Sequence, residues 1–357
     1  MRITSARRKD GTGHLRRAAW LLAVVPLAGC ASVQSISNTH GPAAHSIEML
    51  SRAMTITFLA AVVIMWVLVA WAAKRRRGSL EEHMPIDVGG GNSWIAIGGL
   101  GVPLIVLSVF LFLGLQLLAA FPIHGKHARS QGASQPAGAH PNILIVGHQW
   151  WWEVHYLYGD AGQQFVTANE IHIPVNQPVN IELESADVIH SFWVPSLHGK
   201  VDMVPGHPNF IRIEASDTGE FSGQCAEYCG KQHAHMRLLV VAQPPAAFEQ
   251  WLAQQRQPGA APTDPETQMG QQAFITGPCA NCHTVRGTPA AGRFGPDLTH
   301  IGSRLYIGAD SFPNNNGNLE GWVADAQGMK PGCRMPEIRA YSGTQLRALV
   351  GYLRQLQ

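Results

Sequence analysis

Two long stretches of this chain carry no charge, and they limit what it can fold into more than any other feature. Ala53–Ala73 runs for 21 residues without an acidic or basic side chain, and Trp94–Phe121 runs for 28. As helix the first is about 31 Å long, close to the thickness of a bilayer's hydrocarbon core. The second is long enough to span with tilt. Shorter apolar runs can be core helices of a soluble protein, but runs of this length predict two membrane spans. Between them stands Lys74-Arg75-Arg76-Arg77. The positive-inside rule puts that basic connection in the cytoplasm. The segment before residue 53 and everything after residue 121 then lie on the outer side.

A third apolar run, Ala18–Leu27, follows Arg7, Arg8, Lys9, Arg16 and Arg17. It is too short to span and has the layout of a secretory signal peptide. It ends in Leu27-Ala28-Gly29-Cys30, which resembles a bacterial lipoprotein box. Residues 1–29 are therefore expected to be a lipoprotein signal peptide, with Cys30 the lipidated N-terminus on the outer face. A plain signal peptide with an incidental cysteine is the alternative. Charged residues make up 14% of the chain and the formal net charge is +2. With one short basic run and no basic stripe, nucleic-acid binding is excluded. The 46% hydrophobic content excludes disorder.

The exported part divides by composition. Residues 122–141, with three glycines and three prolines, read as a polar linker. From 142 to about 243 the pattern turns to short strands. Asn180–Glu184 and Phe210–Glu214 alternate apolar and polar side chains, while Asn142–Val146 and Arg237–Val241 are short buried-type runs. Strands at this spacing predict an all-β sandwich or barrel. Pro244-Pro245 opens a predicted helix over Ala246–Arg256, so this domain is taken as 142–257. The Pro/Ala/Gly-rich Pro258–Pro265 precedes a last unit, 265–357, that reads helical at its ends, over Glu266–Phe274 and Thr344–Leu356.

Two clusters carry chemistry. Cys225-Ala-Glu227-Tyr-Cys229-Gly-Lys-Gln-His233-Ala-His235-Met236 brings two thiols, imidazole and a thioether within twelve residues. Such soft donors favour copper and argue against magnesium or calcium. Zinc is the main rival, though methionine is a poor zinc ligand. A Cys225–Cys229 disulfide would leave His233 and Met236 unexplained. The second cluster, Cys279-Ala-Asn-Cys282-His283, is the C-x-x-C-H attachment motif of c-type haem, in which both thiols form thioethers and the histidine is an axial ligand.

The first cluster, Cys-x-Glu-x-Cys-x3-His-x2-Met, resembles the binuclear copper (CuA) loop of cytochrome c oxidase subunit II. Asp187-Val-Ile-His190-Ser-Phe-Trp-Val-Pro195 resembles the segment supplying that family's other histidine. Gly147-His-Gln-Trp150-Trp-Trp152 resembles its aromatic segment. The resemblance implies a cupredoxin-like domain in which Cys225 and Cys229 bridge two coppers and His190 and His233 each ligate one. Met236 and the Glu227 carbonyl would be weak axial ligands. It further implies a magnesium shared with subunit I at the Glu227 side chain, and Trp150 as the point where electrons come in. Of the three tryptophans, alternation along a strand leaves at least one to pack the core. His235 is expected on the surface. One departure stands out, because the family often has a glutamate just before the second span. Here Gly89-Gly90-Gly91-Asn92-Ser93-Trp94 has none, which puts proton uptake through this subunit in doubt.

In the last unit, Gly295-Pro296-Asp297-Leu298-Thr299-His300 resembles the segment after the haem motif of class I cytochrome c. Lys330-Pro-Gly-Cys333-Arg-Met335-Pro336 resembles the loop supplying the axial methionine. Met335 is preferred over Met329 because the family places proline directly after its ligand. Cys333 is left unassigned, as a buried free thiol.

The whole resembles subunit II of a caa-type cytochrome c oxidase. The expected order is a two-helix transmembrane hairpin within residues 30–121, then an all-β cupredoxin-like domain, then an all-α cytochrome c domain. The implied cofactors are CuA, haem c and the shared magnesium. The implied partners are oxidase subunits I and III, a cytochrome c donor and the lipid membrane. The resemblance implies electron transfer from cytochrome c through the chain's own haem and copper to an oxygen-reducing, proton-pumping subunit I. Both domains would lie on the periplasmic side of a bacterial inner membrane. A CuA-containing subunit of a nitric oxide reductase is the alternative.

Overall fold

The computed structural model describes residues 35–75, 91–120 and 142–357. The signal segment, Cys30, Arg76 and Arg77, Gly89 and Gly90, and the 122–141 linker lie outside the described residues. Two helices answer the uncharged stretches, α1 over Pro42–Arg75 and α2 over Gly91–Ala120. No residue in the apolar window of either is buried, which excludes core helices of a soluble protein. Trp66, Ile105 and Leu111 are among the large side chains left bare, as they would be against lipid. In α2 the backbone widens to π-type hydrogen bonding over Ile95–Gly101, and Val102 N–H reaches back to Ile97 O. Pro103 has no N–H to continue the ordinary ladder there.

The expected span began at residue 53, but α1 starts eleven residues earlier because the protein holds its first turns. His40 N–H donates to Ser196 O at 2.7 Å, Ala44 N–H to Leu197 O at 3.2 Å, and Ser216 N–H to His40 O at 2.7 Å. Glu48 is buried there and accepts from Arg52 at 2.8 Å.

Ten strands follow: β1 Ile143–His148, β2 Trp151–Tyr156, β3 Phe165–Ala168, β4 Glu170–Pro174, β5 Val179–Ser185, β6 His190–Trp193, β7 Val201–Met203, β8 Asn209–Ile213, β9 Gly219–Cys225 and β10 Arg237–Gln243. They form two five-stranded sheets, ordered β3-β2-β1-β5-β8 and β4-β10-β9-β6-β7. Only β1/β5 and β10/β4 pair in parallel. Ile143, Ile145, Trp152, Val154 and Tyr156 of the first sheet meet Ile171, Ile173, Phe192 and Val240 of the second in one core. The Asn142–Val146 run, read as buried throughout, alternates instead. Its sheet has one covered face, so Leu144 and Val146 are only half-buried. Helix α3, Pro245–Gln255, closes the open end with Phe248 and Leu252.

The last unit is built from α4 (Pro265–Thr276), α5 (Asn316–Ala324), α6 (Ala326–Met329) and α7 (Gly343–Gln355), with a short ribbon of β11 (Tyr306–Ile307) and β12 (Phe312–Pro313) added to the expected helices. Capping boxes start the two long helices, Asp264 with Thr267 and Ser342 with Gln345. Helices α4 and α7 bury Phe274, Leu349, Tyr352 and Leu353 between them.

The two exported units are docked through a polar seam. Buried Arg304 donates to Thr167 Oγ1 at 3.1 Å, and Leu305 N–H donates to Glu170 Oε2 at 2.8 Å. Arg286 donates to Gln255 O at 2.6 Å and sits over the Phe165 ring. Buried Lys330 donates to the carbonyls of His235 and Gly308, both at 2.7 Å.

Close approach of α4 and α7 depends on Gly270. A Cβ there would stand 2.0 Å from Ala348 O and 2.5 Å from Ala348 C, both rigid backbone. Gly270→Ala is expected to push the helices apart and cost about 1–3 kcal/mol. Calorimetry of the detergent-solubilised chain should show the transition of the helical unit lowered and that of the sandwich unmoved.

Candidate metal centre and haem pocket

The copper-type donors come from two neighbouring places in the second sheet. His190 opens β6, Cys225 ends β9, and the loop from β9 to β10 returns Cys229, His233 and Met236. Antiparallel pairing of β6 with β9 sets Phe192 opposite Cys225, so the first histidine and the first thiol share one end of the sheet. The two Sγ atoms lie 3.7 Å apart. His190 Nδ1 is 3.8 Å from Cys225 Sγ, and His233 Nδ1 is 3.6 Å from Cys229 Sγ. Met236 Sδ is 3.8 Å from Cys229 Sγ, and Glu227 O is 3.1 Å from Cys225 Sγ. His190, Cys225 and Cys229 present ligand atoms within 4.8 Å of one another, all buried. Every donor named from the sequence thus faces one small space. His235, the unselected histidine, is exposed.

A disulfide is absent: all five cysteines among the described residues are free thiols. Two sulfurs this close share their protons. The hydrogen bond to Cys229 comes first among the causes that hold Cys225 far below the ordinary thiol range, and that same bond pushes Cys229 up. Such a pair titrates as a unit. A buried set of two thiols, two free imidazole nitrogens and a thioether fits a soft, thiolate-bridged copper pair.

Asp187 fixes the His190 ring. The His190 Nε2–H donates to Asp187 Oδ1 at 2.8 Å, which leaves Nδ1 pointing at Cys225. Burial opposes ionisation of this carboxyl. Hydrogen bonds from the His190 ring and from the N–H groups of Gln149 and Val188 outweigh burial and hold it at about 2. Gly147 makes room for the ring, since a Cβ there would meet His190 Cδ2 at 2.8 Å.

The three tryptophans part ways. Trp152 is fully buried in the sandwich core, and Trp151 stacks on His148 at 4.5 Å on the outer face. Trp150, in the turn before β2, donates its ring N–H to Cys229 O at 3.0 Å, and Gln149 Nε2 donates to the same oxygen at 2.7 Å.

Trp150 also borders the main cavity of the helical unit. That cavity, about 380 Å³, is lined by Cys279, Cys282, His283 and Met335 on one side and by Gln149, Trp150 and Trp151 on the other. Its size and largely apolar walls suit a planar cofactor. His283 Nδ1–H donates to Pro296 O at 2.8 Å, which leaves Nε2 as the free ligand nitrogen. Burial lowers the His283 pKa, which favours the neutral ring a ligand must have. Met335 lines the cavity, whereas the Met329 sulfur packs over Gly321. Cys333 is half-buried, not fully buried, and takes a contact from Gln327 Nε2 at 3.3 Å. Asp187, Gln149 and Arg334 all stand inside the sequence motifs given above, but none of them carries a role there. The signal for Asp187 was its place three residues ahead of a ligand histidine.

A family profile described as the periplasmic domain of cytochrome c oxidase subunit II matches residues 158–243, and a cytochrome c profile matches 267–357. The chain is 32% identical over 336 residues to the cytochrome c oxidase subunit 2 of Alkalihalophilus pseudofirmus, covering 93% of this chain and 94% of that one. Against the protein of the same name from Bacillus subtilis it is 27% identical over 362 residues, covering 94% and 96%. A crystal structure of the periplasmic domain of oxidase subunit II from Bradyrhizobium japonicum is 31% identical over 32% of this chain and 91% of that one, with a TM-score of 0.30.

Removing the carboxylate that orients His190 should weaken copper retention without unfolding the sandwich. Asp187→Ala is expected to lower copper affinity about 10–100-fold, read by competition against a copper chelator.

Proposed function

Because this chain belongs to the cytochrome c oxidase subunit II family, with a cytochrome c domain behind the copper-binding fold, we propose that it takes electrons from a cytochrome c donor at its C-terminal unit and passes them through its copper-binding unit to subunit I, where oxygen is reduced and protons are pumped. The carrying observation is the shared wall of the two sites. Trp150 borders the cavity holding Cys279, Cys282, His283 and Met335, and its ring N–H is bonded to the carbonyl of Cys229.

When bound, a haem at Cys279, Cys282, His283 and Met335 and a copper pair at His190, Cys225, Glu227, Cys229, His233 and Met236 would supply two one-electron carriers. The protein's own work is to hold them. His283 is fixed by Pro296, His190 by Asp187, and the two thiols are kept in a buried cage on a β scaffold, so little has to move when charge arrives. Trp150 is assigned as the group that couples the two sites. The half-buried Glu227 side chain is assigned to a magnesium shared with subunit I. Subunit III is a further expected partner, and Cys30 is the proposed lipid attachment. Residues 89–94 hold no glutamate, so this chain departs there from the family's pattern for proton uptake. The relatives named above are oxidase subunits, which favours oxygen over nitric oxide as the final acceptor.

Purified full-length protein is expected to show a mixed-valence two-copper EPR signal that Cys229→Ser abolishes; an EPR-silent, zinc-filled site would overturn the copper assignment. Met335→Ala should lose the optical signature of methionine-ligated haem and Met329→Ala should keep it. The reverse result would move the axial ligand to Met329.

A further inference from the structure

The loop carrying Met335 lies against the loop carrying the copper-type ligands. Lys330 Nζ donates to His235 O at 2.7 Å, and Gln232 Nε2 donates to Pro331 O. Arg334, the residue directly before Met335, donates to Gln149 Oε1 and stands 3.9 Å from Asp187 Oδ2. Both of its partners serve the other site. Gln149 holds Cys229 O through Nε2 at 2.7 Å, and its backbone N–H donates to Asp187 Oδ2 at 2.8 Å. Asp187 Oδ1 in turn fixes His190. One guanidinium is therefore an ion-pair contact and one hydrogen bond from His190 by way of Asp187, and two hydrogen bonds from the Cys229 carbonyl by way of Gln149.

We infer that Arg334 is a positioning residue that ties the methionine loop of the cytochrome unit to the ligand shell of the metal centre, so that the two sites are tuned together. The inference rests on the functional reading above and extends it to a residue that borders the haem cavity but is not among the residues that would hold either cofactor. Its chemistry is electrostatic and geometric. A guanidinium beside Asp187 offsets part of the carboxylate's field at His190, which favours the state of the copper pair that carries less positive charge. Its hydrogen bond to Gln149 keeps that side chain on Cys229 O, beside the Trp150 ring. Arg334 itself is 64% exposed, so its loss leaves no buried cavity and no stranded charge. Asp187 and Gln149 remain bonded to His190 and Cys229 without it, so the expected effect is a retuning and not a collapse.

The test uses full-length holoprotein in three forms: wild type, Arg334→Ala and Arg334→Lys. Arg334→Ala is expected to keep wild-type haem and copper contents and the methionine-ligated haem spectrum. Its copper midpoint potential should fall, its His190 hyperfine couplings in EPR should change, and haem-to-copper electron transfer after flash reduction should slow about three- to fivefold, the scale of one exposed charge pair. Arg334→Lys keeps the charge and loses the planar fork, so it should restore the potential more than the hyperfine couplings. If Arg334→Ala matches wild type in potential, hyperfine couplings and transfer rate with both cofactors in place, the inference is wrong while the functional reading stands. If wild-type protein carries neither cofactor, both fall.

Discussion

Two sulfur atoms 3.7 Å apart in a buried pocket cannot both be thiolates without a cation between them. At an effective dielectric of about 20, two unit negative charges at that distance repel by roughly 4 kcal/mol. The fold nevertheless keeps Cys225 and Cys229 together, both nearly inaccessible to water. The surroundings make sense as supports for that arrangement. Imidazole nitrogens approach each sulfur from one side, Asp187 keeps His190 in the tautomer that leaves Nδ1 free, and Gly147 yields the space its ring fills. The β sandwich supplies the rigidity: β6 and β9 are paired, and the ligand loop leaves β9 and rejoins the same sheet as β10.

A comparable logic governs the seam between the exported units. Its contacts are polar and specific in place of broad apolar packing, with Arg304, Lys330 and Glu170 buried in it. Buried charges of this kind contribute little net stability, because desolvation offsets most of the attraction. They do penalise every other docking arrangement, which would leave them unpaired. An orientation chosen in this way puts the cavity of the cytochrome unit against Trp150 and leaves its methionine loop on the metal-ligand loop.

Much of this was legible in the sequence, for reasons that differ by element. The spans announce themselves through length and missing charge, and the ligand clusters because each lies within a few consecutive residues. Burial within β1 was misjudged, since Asn142–Val146 looks uniformly apolar and only the second sheet decides which face is covered. The start of α1 was set too late because its first turns are fixed by backbone contacts to residues 196, 197 and 216, far away in the chain. The seam could not be read at all. Thr167, Glu170 and Arg304 belong to no motif, Lys330 and Arg334 lie in a motif that points only to its methionine, and the roles of all five arise only when two units meet.

The attachment of α1 to the sandwich has a further consequence. The strand that begins with His190 ends at Trp193 and leads into a turn at residues 195–197, where the carbonyls of Ser196 and Leu197 receive the N–H groups of His40 and Ala44 at the head of α1. Eight residues of chain, from His190 to Leu197, therefore connect the candidate metal centre to the head of α1. A residue inserted between His190 and Ser196 is therefore expected to shift the metal-ligand side chains relative to the head of α1.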